Sequence, residues 1–211
     1  MSRLAADPAA QPAQTAHVVN IANGLTLLRL LLVPVFLLLL FLHGGHSPGW
    51  RIWACVAFAA ATITDLIDGD IARSRGLVTD VGKVADPLAD KALTGAALVG
   101  LSALDDLSWI VTIVILAREL GVTGLRFFVI RHGVIPASRG GKIKTLLQNI
   151  AIGCYLLPLT GWAATGRYWV LFVAVVITVV TGVDYVARAL RLRRTSERAA
   201  MKRARKLAQH Q

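Results

Sequence analysis

The sequence predicts an all-α polytopic membrane protein with six transmembrane helices and both termini in the cytoplasm. Three observations predict it: an apolar composition, six apolar stretches of near-membrane length, and positive charge that alternates between connections. The 211 residues are 55% hydrophobic, with a mean hydropathy of +0.62. That is too apolar for an ordinary soluble domain. The net charge of +11 would suit nucleic acid or an anionic surface, so the placement of the basic residues decides between them.

Residues 1–19, rich in Ala, Pro and Gln, are expected to form a disordered leader, because they bury too little apolar surface to offset the entropy of ordering. A span needs about 20 mostly apolar residues. The stretches near that length are roughly 25–43, 52–72, 87–104, 109–130, 143–163 and 168–187. Together they define a membrane domain over residues 20–190. The first run is longer than a signal-peptide core and no A-x-A site closes it, so no cleavable signal is expected.

The connection after the second stretch and the one after the fourth carry Arg73, Arg75, Lys83, Arg131, Arg139 and Lys142. A basic tail, residues 191–211, follows the sixth stretch, whereas the other three connections offer only Arg51 and Arg167. By the positive-inside rule the basic loops and both termini face the cytoplasm. The tail serves this topology, and it also suits anionic membrane lipid as a partner. Its spacing shows no nucleic-acid motif, so no nucleic-acid partner is expected. Trp50, Trp53, Trp109, Trp162, Tyr168 and Trp169 fall near span ends, as interfacial aromatics do. Cys55 and Cys154 are expected to be structural thiols, the five histidines carry no chemistry, and Asp184 with Arg188 is an i, i+4 structural pair.

The informative stretch holds Asp65, Asp68, Gly69, Ala72 and Arg73, then Gly82, Asp86 and Asp90. On a helix Asp65, Asp68 and Ala72 share one face, and on the next helix Gly82, Asp86 and Asp90 share another. The connection is short enough to bring the two faces together. Four carboxylates at a membrane edge repel one another unless something positive holds them ionised. Oxygen donors without His or Cys favour magnesium or manganese, and two ions share the charge better than one. Gly69 and Gly82 let a diphosphate or ribose approach the backbone. The competing reading, helix-end acids paired with Arg73, Arg75, Lys83 and Lys91, suits any one aspartate better than four at matched spacing. Asp70 lies off the acidic face and is expected to be solvated.

The pattern D-x2-D-G-x2-A-R-x8-G-x3-D-x3-D is similar to the signature of the CDP-alcohol phosphotransferase family, and every fixed position is filled. The resemblance implies a six-helix membrane fold, commonly a homodimer, with a metal site facing the cytoplasm. It implies Asp65, Asp68 and Asp86 as metal ligands, and Asp90 as a catalytic base that also lies at the metal. It further implies that Asp65, Gly69, Ala72, Arg73 and Gly82 surround the CDP moiety.

In the reaction so implied, an alcohol oxygen attacks the phosphorus bearing the lipid and CMP leaves, its charge neutralised by metal and Arg73. Asp90 takes the alcohol proton. A carboxylate is a weak base for an alcohol, so the hydroxyl must be acidified by its surroundings or transfer must be late.

The acceptor is read from a second set of cations. Arg118 and Arg126 lie in an otherwise apolar stretch, which is costly unless they face the interior and meet an anion. Arg139, Lys142 and Lys144 open the next helix among glycines, where helix N-termini and basic side chains suit phosphate. A positive-inside loop without catalytic role competes with this reading, as does a merely structural pairing of Glu119 with some neighbouring base.

These segments, with Asn20, Asn23, Thr26 and Arg29, resemble the phosphatidylglycerophosphate synthase branch of the family over most of residues 20–150. That resemblance implies transfer from CDP-diacylglycerol to sn-glycerol 3-phosphate. Ala22 stands where the family often has Pro. A cardiolipin synthase or a phosphatidylinositol phosphate synthase shares the same metal motif. A divalent-cation transporter is disfavoured because both halves of the motif sit at one membrane face.

Overall fold

The computed structural model describes the backbone of residues 21–75, 80–129 and 139–208, and the side chains of residues 24–64, 88–125, 141 and 143–192. Within them the chain forms α1 (Ile21–Phe41), α2 (Pro48–Arg75), α3 (Asp80–Ala103), α4 (Trp109–Val129), α5 (Arg139–Leu156) and α6 (Gly161–Ala208). A 3-10 turn, Leu42–Gly45, links α1 to α2, and no strand occurs among the described residues. The expected leader, residues 1–19, lies outside them.

Each helix follows one apolar stretch, with two departures. The fifth stretch was expected to run through residue 163 and the sixth to start at 168; instead α5 ends at Leu156 and α6 begins at Gly161. Pro158 is the cause, because it lacks the N–H that would continue α5 and disfavours helical backbone in the residue before it. Gly161 then restarts the chain at a φ of +59°. The second departure is the continuity of α6, whose 48 residues carry the last apolar stretch into the basic segment without a break. At 1.5 Å per residue such a helix is about 72 Å long, more than twice a hydrocarbon core.

The core forms where α1, α2, α3 and α5 meet. Phe36 and Leu40 of α1 pack on a small-residue face of α2, Ala54, Ala57 and Ala61, with the Phe36 and Phe58 rings 5.9 Å apart. Alanines at this spacing let helices approach closely, as suits membrane bundles. Leu93, Ala97 and Leu101 form the matching stripe of α3, and Ile152, Tyr155 and Leu156 that of α5. Gly45 ends the first turn at a φ of +76°, where an added Cβ would lie 2.4 Å from Leu104 Cδ2. Both the backbone conformation and the space call for glycine there.

Outward faces are apolar too: Leu27, Leu31 and Leu38 on α1 and Phe172, Val176, Val180 and Val183 on α6 are exposed. Apolar surface of this extent marks contact with lipid or another apolar partner. Two segments, Gly24–Gly45 and Gly161–Leu192, are long and apolar enough to cross a bilayer.

One end of the bundle is fastened by polar contacts. Arg51 at the start of α2 donates from Nη2 to Asp106 Oδ2 at 2.6 Å, beyond the end of α3, and to the Tyr155 carbonyl at 3.0 Å, near the end of α5. Ser102 and Thr112 hydroxyls meet at 2.7 Å across the α3–α4 turn. Arg167 of α6 lies 4.9 Å from the Tyr155 ring centre and 5.3 Å from that of Tyr168. Both cations assigned to the less basic face are thus held in structural contacts. Trp50, Trp109 and Trp162 begin α2, α4 and α6 at this same end.

Because the Arg51 pair is nearly buried, removing one partner leaves a charge without compensation. Asp106→Ala is expected to cost about 3 kcal/mol, read as a lower thermal midpoint in detergent.

Candidate active site

At the opposite end the core stripes turn polar. On α5 the buried positions Ala151, Ile152 and Tyr155 are continued toward the N-terminus by buried Gln148 and Lys144, and on α1 those of Phe36 and Leu40 by buried Arg29 and Thr26. Thr94 is buried and Asp90 partly buried on the same part of α3. Polar groups at core-facing helical spacing are costly in a membrane bundle unless they are paired or serve a site.

The acidic motif enters this end on two unbroken helices. α2 runs through Arg75, so Asp65, Asp68, Gly69, Ala72 and Arg73 share one helical register, and α3 starts at Asp80, so Gly82, Asp86 and Asp90 share another. The side chains of Asp65, Asp68, Asp86, Ala72 and Arg73, the surroundings of Gly69 and Gly82, and the side chain of Asp70 lie outside the described residues. So do the side chains of Arg126, Arg139 and Lys142. Of the predicted site residues, the side chains of Asp90, Arg118 and Lys144 are described; Arg118 and Lys144 meet at Glu119, and Asp90 lies within electrostatic range of Lys144.

Lys144 is only 3% exposed, and its ammonium donates to Glu119 Oε1 across the gap between α5 and α4. Arg118 Nη1 donates to the same oxygen at 3.2 Å, and its Nη2 donates to Thr181 Oγ1 of α6 at 3.2 Å. The Thr181 hydroxyl donates its own hydrogen bond to the Ile177 carbonyl at 2.7 Å, and its oxygen accepts from Arg118. The Asp90 carboxylate is near enough to act electrostatically on the Lys144 ammonium.

Gly182 makes room for this arrangement. A Cβ there would sit 3.0 Å from Arg118 Cγ, so the glycine lets the arginine stem lie against α6. Beside it opens an apolar groove of about 550 Å³ between α4 and α6, lined by Gly121, Val179, Gly182, Val183 and Val186.

The three hydrogen-bonded groups are two cations around one carboxylate, an excess of one positive charge before Asp90 is counted. Among the described residues no group of three or more acidic, His or Cys side chains forms a metal site. The predicted one depends on Asp65, Asp68 and Asp86, whose side chains are outside that set. A pairing of Glu119 with a base was the competing reading, and the structure gives its partners as Lys144 and Arg118. Thr181 and Gln148 were missed. Buried Arg29 carries a signal of the same kind as Arg118, an arginine inside an apolar stretch.

Cys55 and Cys154 are free and partly buried. Cys55 Sγ contacts the Gly153 carbonyl at 3.9 Å, as expected of structural thiols. Asp184 and Arg188 pair at 2.8 Å in the open. An exposed i, i+4 pair of this kind contributes about 0.3–0.5 kcal/mol.

An all-helical membrane bundle, two consecutive helices bearing the paired acidic motif, and a cationic cluster against the second of them define a phosphatidyl-transferring class. The chain belongs to the CDP-alcohol phosphatidyltransferase family, whose profile matches residues 19–180. It is 57% identical over 181 residues to the probable phosphatidylglycerophosphate synthase of Mycobacterium tuberculosis strain H37Rv, covering 86% of this chain and 87% of that protein. The CDP-diacylglycerol--glycerol-3-phosphate 3-phosphatidyltransferase of Bacillus subtilis strain 168 is 37% identical, covering 84% and 98%. The protein of the same name from Escherichia coli K12 is 34% identical, covering 81% and 94%.

Proposed function

We propose that this membrane enzyme transfers the phosphatidyl group of CDP-diacylglycerol to sn-glycerol 3-phosphate, giving phosphatidylglycerophosphate and CMP in phospholipid biosynthesis. The observation that carries the reading within this chain is the Arg118–Glu119–Lys144 cluster beside Asp90. It offers net positive charge next to the acidic motif, where an acceptor bearing a phosphate would need it. The names of the relatives supply the same donor and acceptor.

The family generally uses divalent metal ions. The four aspartates fit such ions: all are hard oxygen donors, in two helical registers, with no His or Cys among them. Asp65, Asp68, Asp86 and Asp90 would hold magnesium or manganese, two ions in this reading. Bound there, the ions neutralise the charge of the pyrophosphate and of the departing CMP.

The remaining work belongs to side chains. Gly69, Ala72 and Gly82, with Asp65, leave space for the CDP moiety, and Arg73 balances charge on the leaving phosphate. Arg118 and Lys144, with Arg126, Arg139 and Lys142, hold the acceptor phosphate. Asp90 accepts the proton of the attacking hydroxyl as the new oxygen–phosphorus bond forms and the bond to CMP breaks.

The proposed topology has six spans over residues 20–190, a leader over 1–19, and a basic tail over 191–211. Loop charge supports cytoplasmic termini and a catalytic end facing the cytoplasm across the cell's inner, plasma membrane. The family resemblance supports a homodimer.

The test is purified protein in mixed micelles with CDP-diacylglycerol and radiolabelled sn-glycerol 3-phosphate. Label should enter lipid in step with CMP release, stop on chelation, and return with magnesium or manganese. CMP release with only phosphatidylglycerol or an inositol phosphate would reassign the acceptor. Activity that persisted in thoroughly metal-free enzyme would remove the ions from the mechanism.

A further inference from the structure

We infer that Glu119 is a positioning residue of the acceptor site, holding Lys144 and Arg118 in the geometry that receives the acceptor phosphate. The inference rests on the proposed acceptor, and it adds a role for a residue that need not touch either substrate.

The first observation is connectivity. One carboxylate oxygen, Glu119 Oε1, accepts from Lys144 of α5 and from its own neighbour Arg118 of α4. Arg118 in turn reaches α6 through Thr181, whose hydroxyl is anchored to the Ile177 carbonyl. The two cations on α4 and α5 therefore have a shared pivot, with α6 as a second support for Arg118. Thr123 Oγ1 donates to the Glu119 carbonyl at 2.8 Å, so the backbone that carries the pivot is tied down as well.

The second observation is burial. Lys144 is 3% exposed, with Arg118 at 16% and Glu119 at 18%. An ammonium that deep is unfavourable without a partner. Glu119 is the carboxylate that Lys144 meets, so without it nothing in the cluster holds the ammonium where it would meet acceptor phosphate.

The third is charge. One carboxylate between two cations orients both and cancels only one, so positive charge remains for a phosphate. In the proposed site the charge of Asp90 is taken up by the metal ions; a further carboxylate in the cluster would neutralise the excess, and none would leave two like charges repelling within hydrogen-bonding distance of the same point.

The experiment compares wild type, Glu119→Gln and Glu119→Asp in mixed micelles, reading CMP release against each substrate in turn and thermal midpoints alongside. Glu119→Gln should raise the Michaelis constant for glycerol 3-phosphate about tenfold, with kcat within about twofold and the constant for CDP-diacylglycerol unchanged. Glu119→Asp, which keeps the charge, should recover part of that loss.

A purely structural role would lower the thermal midpoint and the active fraction without moving the acceptor's constant, and that result overturns the inference. So does a lower constant in Glu119→Gln, which would make the carboxylate a competitor of the phosphate. Should the Gln variant not fold, the acceptor's constant in the Asp variant decides: unchanged from wild type, it overturns the inference. A wild type that releases no CMP with glycerol 3-phosphate overturns the functional reading itself. Normal wild-type turnover with unaltered variants overturns only the role of Glu119.

Discussion

Asp90→Asn is expected to lower CMP release by about 10³-fold, the scale of losing a general base. The amide keeps the size of the side chain and can still offer one oxygen to a cation, but it cannot take up the hydroxyl proton. Donor binding should therefore survive in part. Equilibrium binding of CDP-diacylglycerol in the presence of magnesium, set beside turnover, separates the two effects. An Asn variant with full activity would take Asp90 out of the base role, and one that lost donor binding as completely as turnover would make it a metal ligand only.

Arg118→Ala is the second large effect. Its removal leaves Lys144 and Glu119 as a one-to-one pair, and the excess positive charge of the cluster disappears. The specificity constant for glycerol 3-phosphate should fall about 10²-fold, as loss of a charge-assisted contact to phosphate implies. The fall should lie mainly in the acceptor's Michaelis constant, with the donor's unchanged. Arg118→Lys should recover little. A single ammonium cannot reach Glu119 and Thr181 at once, as the two guanidinium nitrogens do. A loss confined to the donor's constant would contradict this placement of the acceptor.

How much of this is written in the sequence follows from which questions are local. Apolar runs locate helices because burial in lipid or core depends mainly on composition, and α1 to α4 fall close to the expected stretches. The α5–α6 boundary was misplaced because a hydropathy window reads through Leu157, Pro158 and Leu159 as apolar, whereas the missing N–H of Pro158 governs the backbone.

The acidic motif was recognisable from spacing alone, since i, i+3 and i, i+4 relations need only a helix, and α2 and α3 supply one each. Arg118 and Lys144 were singled out because cations in apolar surroundings are costly. Their meeting at Glu119 could not be read, because helical spacing states which residues share a face but not which faces meet. Thr181 and Gln148 were invisible for the same reason. A threonine or glutamine in a membrane helix commonly satisfies its own backbone or a neighbour, as Thr62 and Thr64 do toward Phe58 and Ala60.

The groove between α4 and α6 shows the same limit. Gly121 of α4 and Gly182 of α6 both line it along valine-rich surface, a pairing of faces that neither helix states by itself. Its apolar walls suit lipid tails, and Arg118 of the cationic cluster lies at its edge.

The central claim is that α2 and α3 turn their aspartates toward a shared pair of cations. Electron paramagnetic resonance of manganese bound to the lipid-reconstituted protein, with CDP-diacylglycerol present, tests it most directly. Two spin-coupled ions per chain are predicted, with the coupling lost in Asp65→Asn, Asp68→Asn and Asp86→Asn. Uncoupled manganese whose binding is indifferent to all three substitutions would contradict it.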